Sequence, residues 1–201
     1  MGGPIMWPLL LFSVIVTAIS LERLIFLLYH NLKIDDIKQR IDSAFMGNNT
    51  KETIEFLDGI SRKKMAARVF SAVLKNRNLN ETRLEKIAEA EAIKCINSLE
   101  NGFNILTAFG SISPLTGFLG TVTGMIGAFR SIAEAENISA QIVAGGIYEA
   151  LITTVFGLII AIAAMSFHSF FSSRVDKFAL DIEEYYTELI NKPMETSHEE
   201  S

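Results

Sequence analysis

One carboxylate stands inside an apolar stretch of this chain. From Ala144 to Phe167 the sequence reads AGGIYEALITTVFGLIIAIAAMSF, enough to cross a bilayer, and it carries Glu149 and two adjacent hydroxyls, Thr153 and Thr154. An ionisable group within a membrane helix costs about 2.5 kcal/mol or more unless it faces protein or water, and such groups mark ion or proton pathways. The plainer alternative is a carboxylate reached by interfacial water or bonded to a neighbouring helix. From a helix start near 139–142, with Ser139 as N-cap, Glu149 lies only about 10 Å down the axis. Gly145, Glu149, Thr153 and Gly157 recur at steps of four and share a helical face, with Thr154 about 100° round from Thr153. Glycines, one acid and a hydroxyl suit close contact with another helix better than contact with lipid.

Other chemistries find little support. The chain has 201 residues and a formal net charge of −5, and no segment is basic enough for nucleic acid. Its single cysteine, Cys95, has no partner for an internal disulfide and forms no cluster of metal-ligand spacing. His30, His168 and His198 are scattered, no phosphate-cradling loop is present, and no Ser-His-Asp set can be assembled. No catalytic residues, metal or cofactor are therefore expected, and the chain is not read as an enzyme.

The elements that must position Glu149 follow from hydropathy. Mean hydropathy is +0.31, but charge-free runs alternate with strongly charged ones, the mark of an integral membrane protein. Ile5 to Leu28 is a first apolar run, too long and too poor in basic residues before Arg23 for a cleaved signal peptide. Trp7 and Tyr29 flank it as interface residues. Pro4 and Pro8 fall at its first turn, and Arg23 either snorkels to headgroups or pairs with charge. A second run, from about Gly102 to Ile132, places Ser113, Gly117, Gly120, Gly124, Gly127 and Ser131 at alternating steps of four and three. Such a small-residue stripe lets membrane helices approach closely. Pro114 lies within this run and predicts a kink. Thr116, Thr121 and Thr123 either bond their own helix four residues back or line a wet path.

Between the first two runs, residues 31–101 are charged with apolar positions at helical spacing, the pattern of a small helical domain. Asn80 is a good N-cap, and from there Leu84, Ile87, Ala88, Cys95, Leu99, Phe103 and Leu106 predict one helix running on to Ile112, about 50 Å long. Beyond His168 an amphipathic helix extends through Phe178, Ile182, Tyr185, Tyr186 and Leu189 to about Asn191, before Lys192-Pro193 and a disordered acidic tail. Of eighteen Lys and Arg, thirteen fall in 31–101 and three after His168, so the charged parts are assigned to the cytoplasm. The expected fold is all-α with three transmembrane helices. Residues 1–29 form the first, with an outside N-terminus, and 30–101 a cytoplasmic domain. Residues 102–132 form the second, 133–141 an outer loop, 142–168 the third, and 169–201 a cytoplasmic helix and tail.

Two segments resemble the MotA/TolQ/ExbB proton-channel family. Gly117-Phe118-Leu119-Gly120-Thr121-Val122-Thr123-Gly124-Met125 is similar to its Leu-Gly-Thr-Val-x-Gly motif. The segment 146–158, GIYEALITTVFGL, is similar to its Gly-Ile-x-Glu-Ala-Leu-x-x-Thr-x-x-Gly-Leu segment. The resemblance is close over about 100–175, and three spans fit the ExbB/TolQ branch rather than the longer, four-span MotA branch. It implies a bacterial inner-membrane subunit that forms a pentamer around a single-span partner of ExbD/TolR type carrying a membrane Asp. It also implies a transducer of TonB or TolA type, driven by the proton-motive force for outer-membrane transport. On this reading Thr121 and Thr154 match pore-facing polar positions, Glu149 the acid of the third helix, and Thr153 lies beside them. Tyr148 and Arg130 depart from the family pattern. A TolQ-like role in envelope integrity, or a passive membrane scaffold whose stripes serve only assembly, are the competing expectations.

Overall fold

Apolar residues at three- and four-residue steps become helices wherever the chain is described. The computed structural model describes residues 3–30, 32–46, 50–134 and 140–191, without the side chains of 44–46, 50, 140, 142 and 143. It holds α1 (Met6–Tyr29), α2 (Asp35–Met46), α3 (Thr50–Ile60), α4 (Ala66–Lys75), α5 (Glu81–Leu99), α6 (Phe103–Glu134) and α7 (Ala140–Asn191), and no strand among the described residues. The expected N-cap at Ser139 and the acidic tail lie outside the described residues. Three helices, α1, α6 and α7, are long and apolar enough to cross a membrane. Two compact units result, Met1–Leu24 with Gly102–Ser172, and Ile25–Asn101 with Ser173–Ser201.

The first unit gathers the three apolar segments. Leu9, Val16 and Ser20 of α1, Phe103, Leu106 and Ser113 of α6, and Ala150, Thr153, Ile160 and Ala164 of α7 are buried. Phe12 meets Phe109 with ring centroids 4.9 Å apart, and Phe103 stacks on Phe171 at 6.1 Å. Outward-facing positions are just as apolar: Trp7, Leu11, Val14, Leu115, Phe118, Ile126, Val155 and Ile162 are all exposed. Helices apolar on every side belong in lipid or against further protein. Arg23 is 6% exposed and donates from Nη2 to Glu22 Oε1 at 2.5 Å, so charge pairing describes it better than snorkelling.

The second unit is built on amphipathic helices. Ile34, Ile37, Ile41, Leu57, Val69, Val73, Leu84 and Cys95 are buried, as the helical spacing predicts. Asn80 caps α5, its Oδ1 accepting from the Arg83 N–H at 3.3 Å. From the far end of α7, Phe178, Ile182, Tyr185 and Leu189 join this core. Tyr185 stands edge-on to Phe70 at 5.0 Å and donates to the Lys38 carbonyl and to Asp42, each at 3.3 Å. Burial and the neighbouring Asp42 carboxylate push its phenol far above the ordinary range, so it stays neutral and a donor. Near the surface, Lys75 and Ser71 both donate to Asp58 and hold its carboxyl below the usual range.

The single helix expected from Asn80 to Ile112 is two helices. α5 ends at Leu99, and Gly102 takes φ +86° before α6 begins at Phe103. Only glycine adopts that conformation freely. A Cβ there would also stand 3.3 Å from Ile19 Cγ2. We therefore expect Gly102→Ala to cost about 1–2 kcal/mol, seen as a lower thermal midpoint in detergent. The third apolar run and the following amphipathic stretch, by contrast, form one unbroken helix of 52 residues.

Candidate functional site

The site is built where α6 and α7 come closest. Gly117 and Gly157 face each other with no room for side chains: a Cβ on Gly157 would lie 2.5 Å from the Ser113 carbonyl oxygen and 3.1 Å from Gly117 Cα. A Cβ on Gly117 would lie 2.8 Å from the Thr153 carbonyl oxygen, and one on Gly120 would strike the Thr153 hydroxyl. Backbones this close let short hydroxyl side chains reach across. Thr154, Thr153 and Thr121 converge on the Gly117 carbonyl at 3.1, 3.2 and 3.4 Å. The Ala150 carbonyl is a second acceptor within reach of both Thr121, at 3.2 Å, and the buried Thr153, at 2.7 Å, so each hydroxyl shares its one proton between Gly117 and Ala150. The Thr121 hydroxyl is also in direct contact with that of Thr154. Thr116 and Thr123 instead bond their own helix, at Ile112 and Leu119.

Glu149 stands one turn from this cluster and bonds elsewhere. Its Oε1 accepts from the Gly3 N–H at 2.7 Å, from the turn that precedes α1. The carboxylate borders a recess of about 600 Å³, walled by that turn and by Gly120, Gly124, Gly146 and Ala150. Glu149 is half-buried, and so are Thr121 and Thr154. A titratable carboxylate and a set of linked hydroxyls thus stand within about a helical turn of each other beside the α6–α7 contact. Among the described residues no group of three or more His, Cys, Asp or Glu is placed to hold a metal ion.

The stripe glycines divide. Gly117, Gly120, Gly124 and Gly157 lie in the α6–α7 contact, whereas a Cβ on Gly127 or Gly145 would meet nothing within 4 Å. The contact continues instead through Gly146 against Ala128 and Gly124 against Ala150. The physical reason is rotation. Steps of four advance about 40° too far per turn, so Gly145 lies about 120° from Gly157, whereas Gly146, eleven residues back, lies about 20° away. Pro114 is inside α6, which continues through it although Pro114 cannot donate to the Gly110 carbonyl. Arg130 pairs with Glu134 at 2.8 Å. Gly3 is the site residue that sequence reasoning missed. Its one signal was a glycine before Pro4, where a turn was to be expected.

Three apolar helices, two of them joined by a threonine-laced seam beside a carboxylate, define a polytopic helical membrane protein with hydroxyl groups buried in its helix packing. The chain belongs to the MotA/TolQ/ExbB proton channel family, whose match runs over residues 61–184. Its relatives carry the names of the ExbB/TolQ branch. The Tol-Pal system protein TolQ of Haemophilus influenzae is 42% identical over 86 residues, 43% of this chain and 38% of that protein. The biopolymer transport protein ExbB of Xanthomonas campestris pv. campestris (strain B100) is 37% identical over 95 residues, 44% and 38% of the two chains. An ExbB-like 3 biopolymer transport protein of Synechocystis sp. is 30% identical over 174 residues, 86% of this chain and 82% of that one. The alignment spans well under half the length of the TolQ and ExbB relatives just named.

Proposed function

We propose that this chain is a pore-forming subunit of an ExbB-like, proton-motive-force-driven motor in the bacterial inner membrane, energising TonB-dependent transport across the outer membrane. The observation that carries the reading is the contact of Thr121 and Thr154 hydroxyls across the α6–α7 seam, one helical turn from Glu149, in a member of a proton channel family. In this reading five copies surround a single-span partner of ExbD/TolR type, whose membrane Asp takes up and releases the proton. The seam supplies a hydrated polar wall, and the charged helices, whose segments carry sixteen of the eighteen Lys and Arg, stand in the cytoplasm. One elementary charge crossing about 100 mV releases about 2.3 kcal/mol, enough to bias a mechanical step passed on to a TonB-like transducer. The 42% identity to a TolQ protein favours a second reading in which the same motor drives a TolA-like transducer for envelope integrity.

The test is proton flux into proteoliposomes holding the chain with its co-expressed partner. Thr121→Ala and Thr154→Ala are each expected to lower flux about tenfold, while costing only about 0.6 kcal/mol of stability apiece, the usual worth of an interhelical hydrogen bond in a membrane. Unchanged flux in the double variant would sink the channel reading and favour a passive scaffold. Rescue of an ExbB-null but not a TolQ-null strain would separate the two motors.

A further inference from the structure

We propose that the turn at Gly3–Ile5 is a strap that positions Glu149, with Gly3 as a positioning residue for proton passage; this rests on the channel reading above. The Gly3 N–H is the donor to Glu149 Oε1 at 2.7 Å, across 146 residues of sequence. That N–H points at the carboxylate because Gly3 takes φ +57°, in the left-handed region. The turn is closed behind it by the Met6 N–H on the Gly3 carbonyl at 3.2 Å and the Trp7 N–H on the Pro4 carbonyl at 3.4 Å. Space is not why a glycine stands there, since a Cβ on Gly3 would meet nothing within 4 Å. What the position demands is the backbone angle that aims the donor.

The rest of the strap fits the same role. Pro4 and Ile5 form one wall of the recess that Glu149 borders, opposite Gly120, Gly124 and Ala150. Ile5 Cγ2 lies 3.2 Å from where a Gly120 Cβ would stand, so the strap is seated on α6 while its amide holds a side chain of α7. A carboxylate on a flexible three-bond stem is thereby given a backbone donor at the edge of a small-residue recess. The strap joins the start of α1 to the site, a connection with no counterpart in the two motif segments.

Two measurements on the full chain in nanodiscs or proteoliposomes, with its partner present, test this. The first is hydrogen exchange of the N-terminal peptide: Glu149→Ala should speed exchange of the Gly3 amide, and Glu149→Gln, which keeps an acceptor, should not. Exchange that is the same in all three proteins overturns the strap. The second is proton flux in a graded series at position 3. Gly3→Asn, which tolerates a left-handed φ, should keep near-normal flux, and Gly3→Val should lower it roughly five-fold. If Glu149→Ala lowers flux but Gly3→Val does not, the strap falls and the role of Glu149 stands. If Glu149→Ala leaves flux unchanged, the channel reading of this site fails first, whatever the exchange result.

Discussion

Gly157→Leu is expected to destabilise the membrane unit strongly, with early loss of the monodisperse peak in a thermal size-exclusion series. A Cβ at Gly157 would already sit 2.5 Å from the Ser113 carbonyl oxygen and 3.3 Å from the Gly117 nitrogen. These are backbone atoms, so no rotamer change relieves the clash, and the helices must separate. Separation breaks the bonds of Thr153 and Thr154 to Gly117 and of Thr121 to Ala150. Overpacking of a tight core alone costs about 1–3 kcal/mol. Adding the lost hydrogen bonds at about 0.6 kcal/mol each brings the total to 3 kcal/mol or more, a large part of what holds a domain together. Gly157→Ala should show the same effect in smaller measure. Gly127→Ala and Gly145→Ala are the controls, because a Cβ at either site is in open space within the chain. Both are expected to melt within a few degrees of the parent. A Gly157→Leu protein as stable as those controls would mean that α6 and α7 do not meet as described.

Much of this architecture could be read from residues alone, and the failures share a cause. The three spans, the Asn80 cap and the buried faces of the amphipathic helices follow from hydropathy and period, which local physics controls. The break at Gly102 was hidden because Leu99, Phe103 and Leu106 keep their helical spacing straight through it and are all buried. Asn101-Gly102 was a turn signal, but an apolar pattern that continues on both sides outvotes one dipeptide. The seam was legible as a small-residue stripe, yet which glycines touch depends on the phase of two helices together. Hence Gly146 and Ala128 carry contacts that the stripe gave to Gly145 and Gly127. Glu149 stood out as a charge in an apolar run, but its partner could not, because a bond between residues 146 apart leaves no periodic trace. The resemblance to a channel family picked out Thr121 and Thr154; only the structure brings their hydroxyls together with Thr153 on one carbonyl.

Glu149→Gln should separate proton chemistry from architecture. Glutamine has nearly the same size and still offers an Oε1 to the Gly3 N–H, so the 2.7 Å bond and the recess can persist. What is lost is the capacity to be charged or to exchange a proton. Assembly and thermal midpoint are therefore expected to stay near the parent, while flux with the partner present falls roughly tenfold. That is less than the 10²–10⁴-fold typical of removing a group that itself transfers the proton. The difference follows from the proposed mechanism, in which the acid on the partner helix carries the proton and Glu149 keeps the path hydrated. A loss of a thousandfold or more would move the proton-carrying role onto Glu149 itself. Wild-type flux would make the carboxylate a structural acceptor for Gly3 and nothing more. Glu149→Ala, which removes charge and acceptor together, should be worse than Glu149→Gln by about the factor that Gly3→Val costs alone, since both changes release the same side-chain contact.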